Sequence, residues 1–212
     1  MASSGALSAI GVGTTPRIDH LVLAIREVVE RGLPPQTTAD RVARLLEPSL
    51  GDPRLLSAAQ QEGDPASYRQ HLLHAEADGS FSLVALVWLP GQQTTIHDHL
   101  CWCVSGVHRG QETERRYRLA PGGRTARLLL DRSVVNRTGA LSAIAPPGDI
   151  HQVTNTGSTK AISLHVYGAD VSRLGSSVRR VYRAPVDDDE QSVDRPCRES
   201  PVGSRRPGVT AP

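Results

Sequence analysis

Along the first third of the chain the apolar residues recur at helical spacing. Ile18, Leu21, Val22, Ile25, Val28 and Val29 fall on one face, and the pattern ends near Gly32. Pro34 and Pro35 break it, and Thr38 or Asp40 is placed to cap a second helix whose apolar side is Val42, Leu45 and Leu46. A third helix is predicted over 53–61. From Tyr68 the texture changes to short runs of apolar and β-favouring residues punctuated by Gly, Pro, Asn and Asp. Strands are predicted over 69–75, 80–89, 94–98, 101–109, 112–119, 124–131, 141–145, 150–155, 161–168 and 178–183. Short antiparallel strands in this number predict a mainly β fold, a jelly-roll-like barrel with the N-terminal helices packed outside it. The expected organisation is a flexible N-terminus over 1–16, a helical segment over 17–67, a barrel domain over 68–183, and a disordered tail over 184–212. That tail is rich in Pro, Ser and charge and has almost nothing to bury.

Composition narrows the picture by exclusion. A chain of 212 residues supports one substantial core but not two independent domains. A formal net charge of +2 makes no electrostatic case for nucleic acid or a membrane as partner. The opening MASSGALSAIGVGTT lacks the basic segment and sustained apolar core of a secretory signal, and no run is long enough to span a bilayer. The expectation is a soluble, cytoplasmic protein, with a monomer as the default. Three cysteines, two of them in Cys101-Trp102-Cys103, do not make a disulfide framework.

The chemistry concentrates in GQQTTIHDH, Gly91 to His99. Residues i and i+2 of a strand project to one face, so His97 and His99 can grip one metal ion. His151, after Pro146, Pro147 and Gly148, is the candidate third ligand on a later strand. Gly91, His97 and His99 have the spacing of the first cupin motif. Pro146, Gly148, His151 and Asn155 have that of the second, with Gly139 one residue farther from Pro146 than usual. Where many metal cupins carry a glutamate ligand, seven residues before Gly110, this chain has Cys103. A neutral three-histidine face suits non-haem Fe(II) with open positions. Zinc, with Cys103 or Cys101 as a thiolate, is the alternative. His20, His71, His74 and His108 show no such spacing and read as structural or surface residues.

Ser163-Leu164-His165-Val166-Tyr167 follows on a strand whose alternation puts Ser163, His165 and Tyr167 on one face. With IHDH and PPGDIH, this SLHVY segment resembles the thiol dioxygenases, the cysteine dioxygenase-like cupins, from about Tyr68 to Tyr182. The resemblance implies a cupin barrel, Fe(II) held by His97, His99 and His151, and an outer triad of Ser163, His165 and Tyr167. It also implies a small thiol and O2 as reactants, with both oxygen atoms ending on sulfur as a sulfinic acid. In Tyr68-Arg69-Gln70, glutamine stands where other members carry an arginine. This is similar to the glutamine-type branch that includes 3-mercaptopropionate dioxygenases, which implies that Gln70 and either Arg180 or Arg179 bind the substrate carboxylate. Arg180 is preferred, and Arg69 is a further alternative. Some members join a cysteine in the Cys103 slot to the tyrosine by a thioether, which makes Cys103–Tyr167 a candidate cross-link. 3-Mercaptopropionate and L-cysteine are the leading substrates. A non-catalytic metal-binding or sensory cupin is the rival reading, and a zinc or manganese cupin acting on a sugar or organic acid is a third.

Overall fold

The computed structural model describes residues 7–8, 15–121, 127–184 and 186–188. Helix α1, Pro16–Val29, starts where predicted: the Thr15 hydroxyl accepts from the Ile18 N–H, Pro16 opens the first turn, and Ile18, Leu21, Val22, Ile25 and Val28 are buried. Helix α2, Pro35–Leu46, begins three residues before the expected Thr38 cap. Pro35 needs no N–H partner at the first helical position, and the Thr38 hydroxyl instead donates to Leu33 O and Pro34 O.

The helix predicted over 53–61 is absent. Two short 3-10 turns, Glu47–Ser49 and Ala59–Gln61, flank this stretch or close it. The local side chains compete for the backbone: Asp52 Oδ1 accepts from Arg54 N–H and Gln60 Oε1 from Ser57 N–H. Leu55 and Leu56 are buried but adjacent, so they form no helical stripe.

The described residues form twelve strands, in chain order β1 Leu7–Ser8, β2 Arg69–Ala75, β3 Ser82–Trp88, β4 Ile96–His99, β5 Cys103–Arg109, β6 Gln111–Leu119, β7 Leu128–Arg137, β8 Leu141–Ile144, β9 His151–Thr154, β10 Ala161–Tyr167, β11 Val178–Tyr182 and β12 Val186–Asp188. They form two six-stranded sheets, ordered β1-β2-β3-β10-β5-β8 and β11-β4-β9-β6-β7-β12. This is the expected mainly β cupin barrel, with helices on the outside. One of the ten predicted strands is displaced, and β1 and β12 stand outside the predicted set, in stretches expected to be flexible and disordered. Of the strand predicted over 124–131, residues 124–126 lie outside the described residues, and the rest opens β7 at Leu128, which runs on to Arg137 in a long hairpin with β6, pairing Gln111 with Arg137 and Leu119 with Leu128. Its far half, Asp131 to Arg137, has no buried position, with Val134 and Asn136 half-buried between exposed neighbours. Two short parallel pairings reach into the termini: Leu7 with Gln70, and Val186 with Leu128. The rest of the expected flexible N-terminus and disordered tail lies outside the described residues.

The central strands β3 and β10 are buried at all seven positions, and alternation divides each between two cores. Leu83, Ala85 and Val87 of β3 and Ile162, Leu164 and Val166 of β10 pack with Ile18, Ile25, Val42 and Leu46 of the helices. Val84, Leu86 and Trp88 turn the other way, into the barrel with Cys103, Val153 and Tyr167. The helices therefore seal the outer face of one sheet and leave its inner face to the site. Among the described residues, no helix is long and apolar enough to cross a membrane.

Candidate metal centre and its cavity

His97 and His99 project from β4 into the barrel, and His151 enters from β9 as the register partner of His97. All three are buried, with ring centroids 4.8, 4.7 and 5.0 Å apart. One ring nitrogen from each lies within 4.8 Å of the others, and these three make up the cluster with metal-holding geometry among the described residues. Neither Cys101 nor Cys103 joins it, so the geometry does not supply the zinc-thiolate alternative.

The ring nitrogens facing away from the cluster are each occupied. His97 Nδ1 is 2.9 Å from Thr95 O, His99 Nδ1 is 3.0 Å from Asp149 Oδ2, and His151 Nδ1 is 2.9 Å from Glu114 Oε1. A carbonyl or carboxylate can only accept, so each Nδ1 carries the proton and each Nε2 presents a lone pair. Three neutral donors preset in this way fit a divalent ion such as Fe(II). Burial, and then the neighbouring His151 and His99, holds His97 well below the usual imidazole range, consistent with a neutral ring.

Both carboxylates are ionised partners. Burial would raise Glu114, but the hydrogen bond from His151 and the Arg116 guanidinium outweigh it and bring the carboxyl to about 2. Asp149 is likewise held below its ordinary value, burial notwithstanding, by hydrogen bonds from the His99 ring and backbone. Sequence reasoning missed both residues. The available signals were Asp149 inside PPGDIH and Glu114 at an inward position of a strand read only for its β texture.

The Ser163, His165 and Tyr167 row is assembled as a chain. Ser163 Oγ lies 3.0 Å from His165 Nε2, and His165 Nδ1 lies 3.2 Å from Tyr167 Oη. The Trp88 indole N–H donates to Ser163 Oγ at 3.0 Å. Burial, the largest cause, lowers His165 to about 3, so its ring is neutral. Burial, then Cys103, pushes Tyr167 well above the ordinary phenol range, so it keeps its proton. Its ring centroid is 6.2 Å from that of His99. Cys103 is the register partner of Tyr167 and its Sγ lies 4.0 Å from His165 Nδ1. Burial, then Cys101, raises its thiol well above the usual range.

A cavity of about 1040 Å³ reaches the three histidines, His165 and Tyr167, and Gln70 of β2 lies in its wall. Arg179 and Arg180 of β11 also line it. The Arg179 guanidinium is engaged by Asp98, which also accepts from Tyr182 Oη at 2.9 Å. Arg180 is exposed, is the register partner of Asp98, and is hydrogen-bonded through its side chain to Tyr182. Arg69, the further alternative, pairs with Val87, whose side chain faces the helices, and lies 3.8 Å from Glu62. The remaining histidines are placed as structural residues. His71 Nε2 meets Glu62 O, His74 meets Glu76, His108 Nδ1 accepts from Gly51 N–H, and His20 is exposed.

Residues 14–176 match the family model for cysteine dioxygenase type I. Among solved structures, the TT1209 protein of Thermus thermophilus is 18% identical over 54% of this chain and 95% of its own, with a TM-score of 0.40. An RmlC-like cupin protein from Desulfovibrio desulfuricans is 19% identical over 50% and 88%, with a TM-score of 0.37. A cupin superfamily protein from Desulfitobacterium hafniense is 14% identical over 57% and 95%, with a TM-score of 0.40.

Proposed function

The chain belongs to the cysteine dioxygenase type I family, and on that premise we propose that it is an Fe(II)-dependent thiol dioxygenase that converts a small thiol carboxylate to its sulfinic acid with O2. The observation that carries this reading is one cavity lined both by the three-histidine cluster and by His165 and Tyr167, the inner end of whose hydrogen-bonded row is Ser163. A cupin that only bound or sensed a metal would need the first and not the second.

His97, His99 and His151 hold the iron, which when bound supplies the Lewis acidity and redox chemistry for thiol deprotonation and dioxygen activation. The protein's own groups position the reactants. Tyr167, kept protonated, donates a hydrogen bond into the cavity, and His165 aims it because Ser163 and Trp88 fix the imidazole. Cys103 packs beside this phenol. The apolar wall of Leu86, Trp88 and Val153 limits water around the sulfur.

The substrate carboxylate needs a cation, since a buried anion without a partner is costly. We assign Arg180 to it, because its hydrogen-bond partner Tyr182 is neutral whereas Arg179 is held by the Asp98 carboxylate, and we assign Gln70 as a second polar contact for the same group. Glutamine in that place favours 3-mercaptopropionate over L-cysteine. The inferred setting is a cytoplasmic monomer. The deciding experiment is oxygen uptake by ferrous-loaded protein with 3-mercaptopropionate, L-cysteine and cysteamine, coupled to sulfinate detection. Sulfinate from 3-mercaptopropionate at the highest kcat/KM supports the reading. Cysteamine turnover at an equal rate removes the carboxylate clamp, and no sulfinate from any thiol removes the activity.

A further inference from the structure

Glu112, on β6 of the second sheet, is buried at 4% exposure, and its carboxyl lies beside the Ser163 hydroxyl of β10 in the first sheet. Its Oε1 has no hydrogen-bond partner among the described residues. The proposed reaction assigns it no role, yet it stands at the inner end of the Ser163, His165 and Tyr167 chain. Resting on the function proposed above, we propose that Glu112 is a positioning residue whose protonation state selects the His165 tautomer and thereby whether Tyr167 points its proton into the cavity.

The argument is a count of protons. Ser163 Oγ has one proton and two lone pairs, and Trp88 N–H occupies one lone pair. With Glu112 neutral, its O–H donates to the second lone pair. Ser163 then donates to His165 Nε2, the imidazole proton sits on Nδ1 and donates to Tyr167 Oη, Ser177 donates to the other Oη lone pair, and the phenol proton is left to point at a ligand. With Glu112 ionised, Ser163 donates to the carboxylate and His165 must carry its proton on Nε2. Its Nδ1 then accepts the Tyr167 proton, turning it away from the cavity. The two states differ by one proton, released to solvent, and no group between the ends changes charge.

Burial favours the neutral form, raising the Glu112 carboxyl to about 7, with the Ser163 hydrogen bond opposing and the charge of Glu114 adding to the rise. The titratable groups facing it are Glu114 on its own strand, itself paired with His151 and Arg116, and His165 beyond Ser163 on β10. Its register partner on β7 is Asn136, and β3 contributes Trp88, neither of which titrates.

The test is the nitrogen-15 spectrum of His165 in the full chain loaded with zinc as a diamagnetic ion, followed from about pH 5.5 to about 8.5, a span that brackets the titration of a carboxyl raised by burial. The expected result is a change from the Nδ1–H to the Nε2–H pattern centred near pH 7. Glu112→Gln, whose amide can donate to Ser163 at every pH, should hold the Nδ1–H pattern throughout. In the iron-loaded enzyme, kcat should fall about tenfold per pH unit above that midpoint and lose this limb in the Gln variant. A tautomer that does not change with pH in the unsubstituted protein overturns the proposal, as does a change that persists in Glu112→Gln. The spectrum reads the relay without turnover, so an inactive protein with the expected switch would count against the proposed reaction and not against this role of Glu112.

Discussion

Asp149 Oδ2 accepts two hydrogen bonds from a single residue, taking the His99 backbone N–H at 2.9 Å and the ring Nδ1 at 3.0 Å. The carboxylate thereby fixes both the strand position and the tautomer of a proposed metal ligand. Asp149→Asn keeps the shape but removes the charge and one acceptor. Affinity for Fe(II) should weaken about 10- to 100-fold. Competition with a chelating dye measures it, and unchanged affinity would show that His99 needs no such partner.

Tyr167→Phe removes the hydroxyl that His165 aims, and leaves the ring in its buried place. Metal content should stay near that of the unsubstituted protein, while kcat falls by about 100-fold or more. Paired metal analysis and steady-state kinetics separate the two effects. A parallel loss of metal would mean that the phenol serves the cluster and not the reaction.

Cys103 and Tyr167 face each other across β5 and β10 with both side chains buried. A thioether between them would remove two hydrogens. Intact-protein mass spectrometry after turnover with iron and thiol is expected to show that loss, and Cys103→Ala should abolish it. An unchanged mass after many turnovers would leave Cys103 as a packing residue.

Arg180→Ala should raise KM for 3-mercaptopropionate at least about tenfold and leave cysteamine unaffected, because a charge-assisted hydrogen bond contributes about 1.5–3 kcal/mol. Arg179→Ala tests the other arginine. Its ion pair joins an exposed guanidinium to the buried Asp98 carboxylate, to which Tyr182 still donates in the variant, so the fold should persist. If Arg179→Ala carries the KM effect instead, the clamp assignment moves to that residue.

The helices belong to the same cooperative unit as the barrel. Ile25 is fully buried in the cluster that includes Leu83, Val104 and Ile162. Ile25→Ala should therefore lower unfolding free energy by about 2–5 kcal/mol in a single transition. Two separate denaturant transitions would show that the helical segment folds independently.

Local periodicity made much of this molecule readable. The apolar spacing of α1 located it closely, because a helix face repeats every three or four residues whatever it packs on. Strand alternation put Ser163, His165 and Tyr167 together and paired His97 with His99 for the same reason. Where side chains captured the backbone, as at Asp52 and Gln60, the pattern misled and a helix was expected in place of turns. The far half of β7 was missed because Asp131 to Arg137 does not alternate apolar with polar residues, Val134 and Val135 standing side by side.

By itself, then, the sequence determined which residues share a face and which loops turn, since these depend on neighbours a few positions away. Only the tertiary structure decided what each face meets. Closing two sheets into a barrel brought Glu114 and Asp149 behind the histidines, Glu112 against Ser163, Cys103 beside Tyr167, and Asp98 onto Arg179. These partners are separated by long stretches of chain, and strand register sets their meeting. No short window of residues encodes that register, because it is a property of the whole sheet.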